Sequence, residues 1–311
     1  MTGVEISKKI IDEVSKVIVG KDEVIRQVMT AILANGNILI EDIPGVGKTT
    51  LAVAFSRAMC LDYNRVQFTP DVMPSDVTGF SMYNKQTNEF EYKPGAIMCN
   101  MFLADEINRT SSKTQSALLE GMEEHKVTVD GETRIIPPPF TVIATQNPVG
   151  SVGTHMLPES QMDRFMFKLS MGYPSLENEI NMLKSKHATV PMDSIEPVIT
   201  ADILCKMQEE VENTFVHDSI YEYIATIAAY TRQMSDVELG ISPRGTIAIV
   251  KAAKATAYMQ GRGYVIPDDV KEIIYPVARH RIVLSTKAKM NKVTVDDVIK
   301  EVLEHIVVEK K

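Results

Sequence analysis

EDIPGVGKTT, residues 41–50, is the stretch that decides the fold. The signature of a phosphate-binding loop is G-x-x-x-x-G-K-[ST]. Aligned on Gly47, Lys48 and Thr49, its first glycine falls on position 42, and position 42 is Asp. The rest of the loop carries the chemistry. Gly47 lets the backbone approach phosphate oxygens with no Cβ in the way, and the N–H groups of a helix start point at the anion. Lys48 is placed to reach β- and γ-phosphates, and Thr49 to offer its hydroxyl to Mg2+. Asp tolerates unusual backbone angles better than most residues. The run Pro44, Gly45, Val46, Gly47, Lys48, Thr49 and Thr50 is therefore expected to hold a nucleotide, provided the Asp42 carboxylate turns away from it.

The loop needs a strand before it and a helix after it. Residues 37–40 are apolar and 49–59 have helical spacing. Four more apolar runs, 65–68, 101–105, 140–145 and 165–169, read as buried strands. A second helix follows the third of the five runs, with Ala117, Leu118 and Met122 on one face. Apolar runs alternating with helices predict a parallel five-stranded sheet covered on both sides, an α/β sandwich. Residues 71–95 contain Pro74, Gly79, Pro94 and Gly95 with little periodicity, and are expected to be an insertion or a mobile loop. Residues 126–134 alternate around Asp130-Gly131, a hairpin turn. Beyond residue 174 the strand-like runs fade and helical patterns take over, at 176–186, 201–212, 219–234, 243–258, 267–279 and 295–308. Ser242-Pro243 and the run 266–269 are helix starts. The expected organisation is a nucleotide-binding αβα domain over 1–174 and a smaller all-α domain over 175–311.

MFLADE, residues 101–106, raises the case for the loop. It is an apolar strand ending in two carboxylates. Asp105 suits the Mg2+ shell, and Glu106, on the other side of the strand end, suits polarising the attacking water.

Bulk properties narrow the classes. The 311 residues are 44 % hydrophobic, enough for a sizeable core. With 41 acidic against 33 basic residues, nucleic acid is not the expected partner. Cys60, Cys99 and Cys205 are scattered and odd in number, which argues against a disulfide framework or zinc site and for a cytoplasmic setting. Lys8, Lys9, Asp12, Glu13 and Lys16 break up the N-terminal apolar residues, so no secretion signal is expected there. No apolar run approaches the ~20 residues of a membrane span.

RVQFTPDVMPSDVTG, LADEINRTSSKTQSALLEGMEE, VTVDG, VIATQNP, LPESQMDRFMF, GISPRG and GRGYVIPDDV occur in order along the chain. Together they resemble the MoxR family of AAA+ ATPases, P-loop NTPases with a helical lid. The resemblance implies roles residue by residue. Asn147 matches sensor 1, which positions the lytic water. Arg164 matches the arginine finger that reaches a neighbouring subunit's γ-phosphate. Arg244 matches sensor 2, expected to come from the lid onto its own subunit's phosphates. Ile18, Val19 and Gly20 match the segment lining the adenine pocket, although Ile18 fits ordinary core packing equally. Arg109 is left open between a site role and none. Residues 71–95 resemble the helix-2 insert and 126–134 the pre-sensor hairpin. The family implies a hexameric ring, a chaperone-like role in maturing or activating client proteins or metalloenzyme complexes, and a partner carrying a von Willebrand A domain.

Two functional classes follow: a ring-forming remodelling ATPase, or a nucleotide-gated binding module whose slow hydrolysis times its docking. Glu106 favours the first. A small-molecule kinase leaves Asn147, Arg164 and the helical domain without a use. ATP is expected over GTP, because the nearest N-K-x-D lookalike, Asn84–Thr87, lacks the carboxylate. His125, His155 and His217 are isolated and show no metal-ligand spacing.

Overall fold

The computed structural model describes residues 2–43, 45–147, 157–174, 176–184 and 192–306. Five parallel strands form the central sheet: β1 (Ile38–Glu41), β2 (Tyr63–Gln67), β5 (Met101–Asp105), β8 (Thr141–Gln146) and β9 (Phe167–Leu169). Their order is β2-β5-β8-β1-β9. Each lies within two residues of the run expected from the sequence. They were legible because they are buried on both faces, which leaves nearly unbroken apolar runs. Edge strand β2 is mostly wet and reads least clearly.

The pleat divides the sheet's side chains between two cores. Ile38, Ile40, Met101, Leu103, Ile143, Phe167 and Leu169 face α1 (Gly3–Ser15), α2 (Asp22–Leu33) and α3 (Lys48–Ala58). Leu39, Phe102, Ala104, Val142 and Ala144 face the other way, onto α5 (Ser112–Glu124). The first of these cores runs on without a break into the helices of the second half.

Residues 71–95, expected to be an insertion or a mobile loop, form an insertion of regular structure between β2 and β5. Helix α4 (Pro74–Thr78) leads into strand β3 (Gly79–Asn84), which pairs antiparallel with β4 (Glu89–Pro94). Both faces of this hairpin meet solvent in part, so its sequence has no alternation to read. The second hairpin is as expected: β6 (Lys126–Val129) and β7 (Glu132–Ile135) join at Asp130 and Gly131, both with φ positive.

After β9 come α7 (Leu176–Lys184), α8 (Ala201–Glu212), α9 (Asp218–Thr231), α10 (Pro243–Met259), α11 (Pro267–Ala278), α12 (Thr286–Met290) and α13 (Val295–His305). Short α6 (Glu159–Met162) precedes β9. Ser242 caps α10 by accepting from the Gly245 N–H, and Asp269 caps α11 by accepting from the Ile266 N–H. The helical half also holds a two-stranded pair, β10 (Val237–Leu239) with β11 (Val283–Leu284), too short to show in the sequence.

Candidate nucleotide site and its distant arginines

The loop between β1 and α3 has its two glycines in the left-handed region, Gly45 at φ +86° and Gly47 at φ +93°. Lys48, Thr49 and Thr50 form the first turn of α3, so their N–H groups are the unpaired ones of a helix start. Val46 packs on the core. Pro44 lies outside the described residues.

Asp42 behaves as expected. Its carboxylate turns from the loop and accepts the Gly172 N–H at 2.7 Å and the Ser170 hydroxyl at 3.1 Å. Its backbone carbonyl accepts the Lys48 ammonium at 2.8 Å. Burial pushes the Lys48 amine below its usual value, opposed by the charges of Asp105, Asp42 and Glu106 around it. Lysine and carboxylates thus converge on one spot.

The two carboxylates lie at the end of β5. The Thr145 hydroxyl donates to Asp105 at 2.6 Å, and Arg65 donates to its other oxygen at 2.6 Å. Glu106 leaves the strand in the left-handed region, at φ +57°, which carries it off the strand line. Asn147 Nδ2 donates to the Glu106 carboxylate at 2.7 Å and Arg109 at 2.8 Å. Burial works to raise the Glu106 pKa; these two donors outweigh it and hold the carboxyl below the usual range. Arg109, left open by the sequence, therefore touches the site. The Asn147 Oδ1 is buried without a partner among the described residues, an acceptor free for a water.

The all-oxygen pair of Thr49 hydroxyl and Asp105 carboxylate fits Mg2+. Ile18 and Met171 are buried, and their tips lie against Gly47. Ile18 thus both packs the core and borders the loop. Val19 is exposed, and Gly20, at φ +71°, abuts Asn178 of α7. Met171, Arg65 and Thr145 were not singled out from the sequence. They sit in ordinary strand and loop contexts, with no motif to mark them.

Arg164 and Arg244 stand elsewhere. Both pair with Glu123, in the last turn of α5, and Arg244 also lies 3.7 Å from Asp163. That turn is at the strand-starting edge of the sheet. Asn37, just before β1, donates to the Met122 carbonyl at 3.3 Å, and its own carbonyl accepts from the Met166 N–H at 2.7 Å. The phosphate loop is at the strand-ending edge. Strands of four to six residues separate the two edges by roughly 13–20 Å. The expectation that Arg244 folds onto its own subunit's phosphates is thus not met: α10 is docked beside the segment that carries Arg164 instead.

Comparisons with known proteins identify the family. Residues 37–167 match the profile "ATPase family associated with various cellular activities (AAA)", and 229–302 match "AAA lid domain". Chaperone MoxR1 of Mycobacterium tuberculosis is 39 % identical over 308 residues, 96 % of this chain and 81 % of that protein. The chain belongs to the MoxR family of AAA+ ATPases. Protein YeaC of Bacillus subtilis is 49 % identical over 95 % of this chain and 92 % of its own length. A crystal structure of a candidate ATPase from Cytophaga hutchinsonii superposes with a TM-score of 0.90 at 35 % identity, covering 99 % of this chain and 96 % of that one. As a MoxR-family protein the chain has a P-loop nucleotide-binding domain and a helical lid. Among the described residues no helix is long and apolar enough to cross a membrane, and no cluster of three or more His, Cys, Asp or Glu could hold a metal ion.

Proposed function

We propose that this chain hydrolyses ATP with Mg2+ in a site shared by two copies, and uses the cycle to remodel a partner protein. The observation that carries the proposal is the division of the site. Lys48, Asp105, Glu106 and Asn147 converge at one edge of the sheet, while Arg164 and Arg244 meet at the other. An arginine that cannot reach its own triphosphate can reach a neighbour's in a head-to-tail ring, where it stabilises transition-state charge. Arg244 then acts in trans beside Arg164. A hexameric ring, a von Willebrand A-domain partner and a cytoplasmic setting belong to the same reading, with 1–174 as the nucleotide-binding domain and 175–311 as the lid.

In the chemistry, the N–H groups of residues 45–49 and Lys48 hold the phosphates. Mg2+, held by Thr49 and Asp105, would neutralise charge on the phosphate oxygens. Glu106 orients and deprotonates the attacking water, with Asn147 fixing the carboxylate. Arg109 and Asn147 together occupy the Glu106 carboxylate in this conformation. That engagement favours slow turnover and keeps the second reading, a nucleotide-gated binding module, in play.

Two variants test the assignment. Lys48→Ala abolishes ATP binding and turnover; full activity in it refutes the site. Glu106→Gln binds ATP and does not hydrolyse it. Loss of partner activation in that variant supports the remodelling reading, and intact partner function supports the binding module.

A further inference from the structure

The segment that carries Arg164 is held by the lid. Arg281, just after α11, is only 4 % exposed. Its Nε donates to the Asp163 carboxylate at 2.8 Å, and its Nη2 to the carbonyls of Asp163 at 2.9 Å and Phe165 at 2.7 Å. Its Nη1 donates to the Met166 carbonyl at 3.1 Å and to the Val277 carbonyl in α11. Next to it, His280 Nε2 donates to the Phe165 carbonyl at 3.0 Å. Burial holds that imidazole well below its usual pKa, so the ring is neutral and its buried Nδ1 has no partner among the described residues. The Ser242 hydroxyl donates to Asp163 at 2.8 Å. Gly245 is what admits Arg281: a Cβ there would lie 2.6 Å from Arg281 Cδ. Two separate pieces of the lid, the start of α10 and the pair His280-Arg281, thus close on residues 163–166.

We propose that Arg281 is a positioning residue for Arg164, fixing the finger segment to the lid so that lid orientation sets where Arg164 stands. A planar guanidinium making fork-like bonds to four partners on one short segment leaves it little freedom to rotate independently. Arg244 is on α10 of the same lid and shares Glu123 with Arg164, so the two guanidinium groups travel together. The inference rests on the reading of Arg164 as acting on a neighbour's nucleotide.

Mixing experiments with the full chain test it. Lys48→Ala spoils the nucleotide pocket and leaves the arginine face; Arg164→Ala does the reverse. Mixed, they regain ATPase activity where a good pocket meets a good face. Adding Arg281→Met to the Lys48→Ala chain is expected to cut that rescue by about 10- to 100-fold, since ångström-scale misplacement costs about that much. A chain carrying Arg281→Met alone keeps its ATP affinity, and its pocket is rescued by Lys48→Ala partners. Equal rescue with and without Arg281→Met overturns the inference. So does an Arg281→Met chain whose own pocket cannot be rescued, because Arg281 then serves folding alone. If Lys48→Ala and Arg164→Ala chains do not rescue each other, the trans reading of Arg164 fails first, and the inference with it. Gly245→Ala, which displaces Arg281 without removing it, gives the same one-sided defect and carries the test if Arg281→Met does not fold.

Discussion

Asp42 stands where the phosphate-loop signature has glycine, yet it is not among the residues with positive φ. The position therefore does not need glycine. Its carboxylate instead ties the loop to residues 170 and 172, where the chain leaves β9 for the lid. Restoring the signature by Asp42→Gly is expected to weaken the protein: loss of buried bonds to a charged acceptor costs about 1.5–3 kcal/mol, measurable by urea unfolding. ATP affinity falls too, because the Met171 side of the pocket loses its anchor; tighter ATP binding in the variant would refute this role. The direction of that carboxylate followed from charge alone, while its partners, about 130 positions later, could not be read from local sequence. The same limit hid Arg281 and Glu123. Each works through contacts far along the chain, and neither stands in a phosphate motif.

Helices and strands were legible where one environment imposed one period. Doubly buried strands gave apolar runs, and Asp130-Gly131 gave a turn. The β3–β4 hairpin gave neither, because solvent reaches both of its faces. Its order comes from its base, where Gly79 and Gly95 pass so closely that a Cβ on Gly95 would collide with the Gly79 nitrogen and the Val77 carbonyl. Across the strands Tyr83 and Phe90 make an edge-to-face pair 5.4 Å apart. Gly95→Ala should therefore unseat the hairpin as a unit. Limited proteolysis is expected to cut within 79–94 in the variant and not in the parent, with ATP binding unchanged. Equal resistance would mean that the hairpin holds without its base.

At the scale of the molecule, the proposed function requires a sheet with its phosphate loop at one edge and its paired arginines at the other to complete its site with a neighbouring copy. Turnover should then depend on how many chains have met. Specific ATPase activity per chain is expected to rise with protein concentration and level off as assemblies saturate, and ATP should increase the mass in solution. Arg164→Ala is expected to keep ATP affinity but lose on the order of 10³ or more in kcat, the usual worth of such a residue. The concentration series separates this from a cis mechanism. A group acting within one chain gives constant turnover down to dilutions where only monomers remain. Constant turnover there, with Arg164→Ala as active as the parent, would remove the shared site from the account and leave Glu123 with a structural ion pair on each arginine.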